Sequence, residues 1–146
     1  MQCPYCTHDE TKVTDKRDQD SLTRRRRECL KCGKRFTTYE RVELDLSVIK
    51  KDGRRQKFSR DKLYNGIEKN LEKRPFTSDE IEKIVNDVEA NIYRVAKDKD
   101  IKSSKIGELV MNKLKKIDKV AYIRFAAVYR DFADIDDFKE EIKKLN

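Results

Sequence analysis

The chain of 146 residues has one histidine, two prolines, four glycines and four cysteines. With His8 as the only imidazole, no second one is present for acid–base work, so a histidine-based catalytic set is not supported. No apolar run approaches the length that spans a bilayer, and the opening Met1-Gln2-Cys3-Pro4 has no apolar core of a signal peptide. The chain therefore reads as intracellular and free of membrane. Neither G-x-x-x-x-G-K-[ST] nor G-x-G-x-x-G occurs, so the large phosphate-binding folds are not supported. No low-complexity tract and no repeat of solenoid length is visible. Hydrophobic residues make up only 36% against 44% charged, which argues against one large core. The length fits one ordinary domain or two small ones.

What the chain does contain is concentrated. Its cysteines form two pairs, Cys3-Pro4-Tyr5-Cys6 and Cys29-Leu30-Lys31-Cys32, with 22 residues between them. A two-residue gap lets both thiolates of a pair reach one small cation from a tight turn. Two such turns complete the all-sulfur tetrahedron that structural zinc favours. A reducing compartment argues for metal over disulfides. Two disulfides, a redox relay or an iron centre are the competing readings. Four thiolates leave no open position for water, so the metal is structural. His8, beside the first turn, reads as a surface residue.

Around these turns the pattern is β. Residues 12–17, 22–28 and 34–42 read as short strands, with Asp18-Gln19-Asp20-Ser21 as a turn and Gly33 able to supply a positive φ. Residues 1–46 thus make a ribbon too small to bury much apolar area, so metal binding supplies much of its folding free energy.

The net charge is +8 with a pI near 9.3, which favours polyanionic partners. Residues 24–35 hold seven basic residues against Glu28 alone, whereas residues 1–46 together hold eleven basic and nine acidic. In a strand Arg24 and Arg26 project to one side, Arg25 and Arg27 to the other. Such a patch suits phosphate contacts and guanine edges, with Thr37, Thr38 and Tyr39 offering hydroxyls. The competing reading is a solvated strand whose arginines balance the thiolate charge.

From residue 47 onward the pattern is mainly helical. Val48-Ile49-Lys50 and Gln56-Lys57-Phe58 flank Asp52-Gly53, a hairpin signal. Ser59 caps a helix over 60–72 that ends before Pro75. Thr77-Ser78-Asp79-Glu80 is a capping box for a helix with Ile81, Ile84, Val85, Val88 and Ile92 on one face. Ser103 or Ser104 opens a third, with Ile106, Leu109, Val110, Leu114 and Ile117 inward. Asp118 caps a fourth, containing Val120, Ala121, Phe125, Val128 and Phe132, and a charged helix covers 136–145. Lys50, Lys51 and Lys62 around a turn and a helix start can hold phosphate. An exposed turn is the plainer alternative. The fold class is α+β: a ribbon of three short antiparallel strands, then a helical bundle with a β-hairpin.

Several ordered motifs resemble the NrdR family, the bacterial repressors of ribonucleotide reductase genes. They are Cys3-Pro4-x-Cys6, Thr11-x-Val13-x-Asp15-x-Arg17, the run from Arg24 through Cys32, Arg35-Phe36-Thr37-Thr38-Tyr39-Glu40-Arg41-Val42-Glu43 and Val48-Ile49-Lys50-Lys51-Asp52-Gly53. Lys73-Arg74-Pro75, the run Ser104-x-Ile106-Gly107-Glu108-Leu109-Val110-Met111 and the run from Val120 to Arg130 complete the match. The resemblance implies a DNA-binding zinc ribbon over 1–46, an ATP-cone over 47–137 and a helical tail over 138–146. It implies Zn2+ on Cys3, Cys6, Cys29 and Cys32. Operator contacts fall on Arg17, Arg24, Arg25, Arg26, Arg27, Arg35 and Thr37. ATP or dATP contacts fall on Val48, Lys50, Lys51, Gln56, Lys62 and Tyr129. It further implies double-stranded operators of ribonucleotide reductase genes as partners, a homo-oligomer that changes with bound nucleotide, no enzymatic activity, and a cytoplasmic, nucleoid-associated location.

Three departures from the family pattern bear on this. Lys16 stands where serine is usual, the customary glycine is missing near Asp20-Ser21, and Gln56 replaces a common glutamate, which affects any sugar or base contact and the choice between ATP and dATP. The rivals are an enzymatic one, a detached allosteric piece of a reductase or a nucleotide hydrolase, and a zinc-ribbon adaptor that binds RNA or a polymerase subunit.

Overall fold

Residues 1–19 and 22–146 are described by the computed structural model. Asp20 and Ser21 of the expected turn lie outside the described residues. The chain divides into two compact units, Met1–Glu43 and Leu44–Asn146.

Threonines, arginines and a tyrosine with little helical periodicity build the first unit as a sheet. Strands β1 (Thr11–Gln19), β2 (Leu22–Cys29) and β3 (Arg35–Arg41) lie antiparallel in that order. The register places Arg17 and Tyr39 on either side of Arg24, and Asp15 and Thr37 on either side of Arg26. A bulge falls between Val13 and Asp15, and the hydroxyl of the intervening Thr14 donates to the Arg26 carbonyl at 3.2 Å. Among the described residues of this unit only Cys3 and Cys29 are buried. The ribbon has no apolar core, so the sulfur cluster takes its place.

The second unit is helical because its apolar residues recur every three to four positions. Helices α1 (Arg60–Leu71), α2 (Ser78–Val95), α3 (Ser103–Ile117), α4 (Lys119–Tyr129) and α5 (Ile135–Lys143) carry it. Three of their starts are capped as the sequence dictates. The Ser59 hydroxyl accepts from the Lys62 amide, Thr77 and Glu80 form a reciprocal box, and Asp118 accepts from the Ala121 amide. At α3 the expectation of a serine cap fails. Lys102 is the capping residue, no side chain closes the end, and Ser103 and Ser104 are already helical. The last helix starts earlier than expected, with Asp134 as its cap, and Phe132 lies beyond the end of α4.

The core is Ile67 and Leu71 from α1, Val85, Val88 and Ile92 from α2, Val110, Met111 and Leu114 from α3, and Ala121, Tyr122 and Ala126 from α4. Ile106, Leu109 and Ile117 pack at its margin, while Val128 is 83% exposed. Polar clasps tie the helices together. Arg124 of α4 donates to the free carbonyls of Glu72 and Asn70 at the end of α1, at 2.8 and 3.3 Å. Arg60 reaches Glu89, Glu82 and Asn86 of α2. Glu141 of α5 is 2% exposed and accepts from Tyr122, Arg130 and Lys144.

A small sheet completes the unit. The expected hairpin forms from β4 (Ser47–Ile49) and β5 (Arg55–Lys57), turned at Gly53 with φ 83°. A third strand, β6 (Asp100–Lys102), pairs parallel to β4, giving the order β5-β4-β6. The sequence reading lacked it. Three residues that run straight into a helix carry no alternation long enough to detect. No described helix is long and apolar enough to cross a membrane.

Candidate functional site

The four cysteines meet at one point. Their sulfurs all lie within 4.8 Å of one another, with Cys3 to Cys32 at 3.7 Å and Cys6 to Cys29 at 3.6 Å. Four thiolates at about 2.3 Å from a tetrahedral zinc stand about 3.8 Å apart along each edge, so the donor set and its size both fit Zn2+. The two turns hold it by backbone bonds. The Cys3 amide donates to the His8 carbonyl at 2.8 Å and the Thr7 amide to Cys3 at 2.9 Å. Gly33, at φ 68°, donates to Cys29 at 3.1 Å. Amides also point at sulfur: Tyr5 at Cys3, and Lys31 and Cys32 at Cys29. The Cys32 amide leads the effects that pull the Cys29 thiol down to about 6, whereas at Cys6 the His8 backbone bond is outweighed by burial and the neighbouring sulfurs, which push the thiol up to about 11.

The arginine run divides between the two faces of the sheet. One face carries Lys12, Arg17, Arg24, Arg26, Arg35 and Arg41 against Asp15 and Glu28, six cations to two anions, together with Thr37 and Tyr39. The opposite face carries Lys16, Arg25 and Arg27 against Asp18 and Glu40, three to two. The arginines differ in their bonds as well. Arg27 donates to Thr38 at 3.1 Å and Thr11 at 3.3 Å, and Arg25 to Glu40 at 3.1 Å. Arg17 pairs with Asp15, and Lys12 and Arg35 share Glu28. Arg24 and Arg26 hold no side-chain bond among the described residues, which leaves their guanidinium forks free for an external anion. The split of the run between two sides is the one strand alternation predicts, and the register adds which neighbours each arginine meets.

In the second unit a cavity of about 550 Å³ opens between the small sheet, α1, α3 and α4. All six residues expected at a nucleotide, Val48, Lys50, Lys51, Gln56, Lys62 and Tyr129, line it. Val48 and Gln56 are register partners on β4 and β5, and Lys62 sits in the first turn of α1. Sequence reasoning missed Arg54, Lys57, Ser103, Ser104, Gly107 and Phe125, which also line the cavity. The four-residue spacing of Phe125 and Tyr129 was a usable signal, since it puts both rings on one side of a helix; they stack at 5.7 Å.

The wall combines cationic side chains with aromatic surface. Lys50, Lys51, Arg54, Lys57 and Lys62 face a single carboxylate, Asp52, and Asp52 is already taken by Arg54, whose Nε lies 2.6 Å from it. The first turns of α1 and α3 both border the space, adding two partial positive charges to the lysines. Such a wall suits a polyanion that carries a flat ring.

Comparison with known proteins agrees with this geometry. Residues 1–40 match the family model described as "Transcriptional repressor NrdR-like, N-terminal domain", and residues 46–135 match that of the ATP cone domain. The chain is 52% identical to a transcriptional repressor NrdR of Caldicellulosiruptor saccharolyticus, over 99% of this chain and 96% of the relative. It is 51% identical to that of Finegoldia magna over 100% and 99%, and 53% identical to that of Acetivibrio thermocellus over 99% and 97%. These relatives are named repressors, so the chain stands among regulators rather than enzymes. A four-cysteine ribbon followed by an ATP-cone, matched along the whole length, makes this chain a member of the NrdR family of transcriptional repressors.

Proposed function

We propose that this repressor binds duplex operators upstream of ribonucleotide reductase genes and releases or grips them according to the adenine nucleotide in its cone. Zinc on Cys3, Cys6, Cys29 and Cys32 holds the ribbon. Arg24 and Arg26 are its leading DNA contacts, flanked by Arg17, Arg35 and Thr37 on the same face. Arg25 and Arg27 act from behind, bracing β2 against β1 and β3. Phosphate contacts of this kind position the protein, and guanidinium forks read guanine edges.

In the cone, ATP or dATP places its phosphates among Lys50, Lys51 and Lys62 and its flat base toward Tyr129. Val48 and Gln56 line the same space. Gln56, an amide in place of a carboxylate, sets the preference between ribose and deoxyribose. Bound nucleotide changes the association of protomers, and so decides whether two ribbons reach two half-sites together. That gain comes from spacing, not from new contacts. The coupling runs both ways, so operator DNA alters nucleotide affinity by the same factor. The protein then works in the cytoplasm, at the nucleoid.

The observation that carries this reading is the cavity, whose lining has five cations against one occupied carboxylate together with the stacked rings of Phe125 and Tyr129. The test is solution mass and duplex binding measured without ligand, with ATP and with dATP. The expected result is that mass and operator affinity shift together between nucleotides. Operator binding that ignores both nucleotides, preference for RNA over duplex DNA, or steady turnover of ATP overturns it.

A further inference from the structure

A lone glycine in a helix interior needs a reason, because only proline is a poorer helix former. Gly107 lies in α3 with no positive φ to justify it, unlike Gly33 and Gly53. The reason is Tyr129. A Cβ built on Gly107 would stand 2.0 Å from Tyr129 Cε2, 2.5 Å from Cζ and 2.6 Å from Cδ2. No non-bonded pair of carbons approaches so closely, so the tyrosine ring occupies the notch where a side chain would be. Gly66 of α1, the other helical glycine, has nothing within 4 Å of such an atom.

The notch has a second consequence. With its ring seated there, Tyr129 donates its hydroxyl to the Ser104 carbonyl at 2.6 Å and stacks on Phe125 with the planes 20° apart. Ser104 belongs to the uncapped first turn of α3 that borders the cavity. The aromatic wall and that helix start are thereby held together as one surface.

We infer that Gly107 is the positioning residue of the nucleotide pocket: its missing side chain seats Tyr129 against α3 and so fixes the wall on which the base lies. The inference rests on the pocket reading given above. Any side chain at this position drives the ring out of the notch, breaks the bond to Ser104 and disrupts the stack with Phe125. Gly107 lines the cavity but has no side chain to offer a ligand, and it acts through Tyr129.

The test is a double-mutant cycle on the full zinc-loaded chain, using Gly107→Ala, Tyr129→Ala and the pair, with ATP affinity read by calorimetry and thermal stability read alongside. Each single change weakens ATP by about tenfold, the size of one lost ring contact and one lost hydrogen bond. The pair binds no more weakly than Tyr129→Ala alone. Tyr129→Phe keeps the ring in the notch and loses only the bond to Ser104, so its loss is smaller.

The melting temperature supplies a reading that a general structural role does not give. Gly107→Ala lowers it when Tyr129 is present. With Tyr129→Ala already made, the same change raises it, because alanine then adds only its better helix propensity. Gly66→Ala serves as the contrast and raises it in the parent. Losses that multiply in the pair, or Gly107→Ala binding ATP as the parent does, overturn the inference while leaving the pocket in place. A parent chain that binds no ATP removes the pocket reading, and the inference with it.

Discussion

The two faces of the ribbon make opposite predictions for arginines that are sequence neighbours. Replacing Arg24 and Arg26 by alanine removes two cations that hold no side-chain bond among the described residues, so the sheet loses no internal support. Replacing Arg25 and Arg27 removes the bonds to Glu40, Thr38 and Thr11, so the sheet is weakened while the more cationic face stays whole. Each phosphate contact contributes about 0.9 to the slope of log affinity against log salt. The Arg24→Ala, Arg26→Ala protein should therefore lose about 2 units of slope. Between about 50 mM and about 200 mM salt, the parent's affinity should then fall by roughly tenfold more than the variant's. The assay is operator binding by fluorescence anisotropy over a salt series, with the melting temperature of each zinc-loaded protein measured in parallel. The Arg25→Ala, Arg27→Ala protein should keep the parental slope and melt lower. If instead its slope flattens and that of the Arg24→Ala, Arg26→Ala protein does not, the assignment of faces is wrong.

Three further outcomes follow from the geometry. Stripping zinc with a chelator should unfold the first unit and abolish operator binding, yet leave the helical circular dichroism signal nearly intact, because among the described residues all five helices lie in the second unit; collapse of that signal would contradict this. Asp118→Ala removes the cap of α4 and the partner of Arg74, and should cost about 1–2 kcal/mol from the cap alone by denaturant melts. Burial pushes the Asp118 carboxyl up, but the Ala121 amide and the Arg74 guanidinium outweigh it and hold the group below its ordinary value. Its stabilisation is therefore present above the ordinary carboxylate range and lost as pH falls through the folded value. The parent should lose stability on acidification more steeply than the variant. Leu114→Ala, at a fully buried position, should destabilise the cone by about 2–5 kcal/mol, with zinc content unchanged by metal analysis.

Much of this molecule is legible in its sequence because its signals are local. Two cysteine pairs at fixed spacing define the metal site, and Ser59, Thr77 and Asp118 mark helix starts through bonds to amides two or three residues away. The six expected pocket residues fall on one cavity because the resemblance spans the whole cone. What escaped notice depends on long-range pairing. Strand β6 exists only because β4 lies beside it, and no feature of Asp100-Ile101-Lys102 alone announces that. The separation of Arg24 and Arg26 from Arg25 and Arg27 follows from strand alternation, but their partners Thr11, Thr38 and Glu40 come from neighbouring strands. The purpose of Gly107 could not be read without Tyr129, which stands more than twenty positions further along the chain.

Strand β6 ends at Lys102 and α3 begins at Ser103, with no residue between them to act as a joint. The sheet that carries Val48 is thus welded to a rod of 15 residues, about 22 Å long. That rod departs from the cavity, turns at Asp118, and α4 brings the chain back to the same cavity at Tyr129, where the hydroxyl meets Ser104. The two arms form a closed frame, fastened at its mouth by one phenol. The far corner is fastened too, since Asp118 holds the Arg74 guanidinium at 2.8 Å, so a guest that pries the mouth apart works against a frame pinned at both ends.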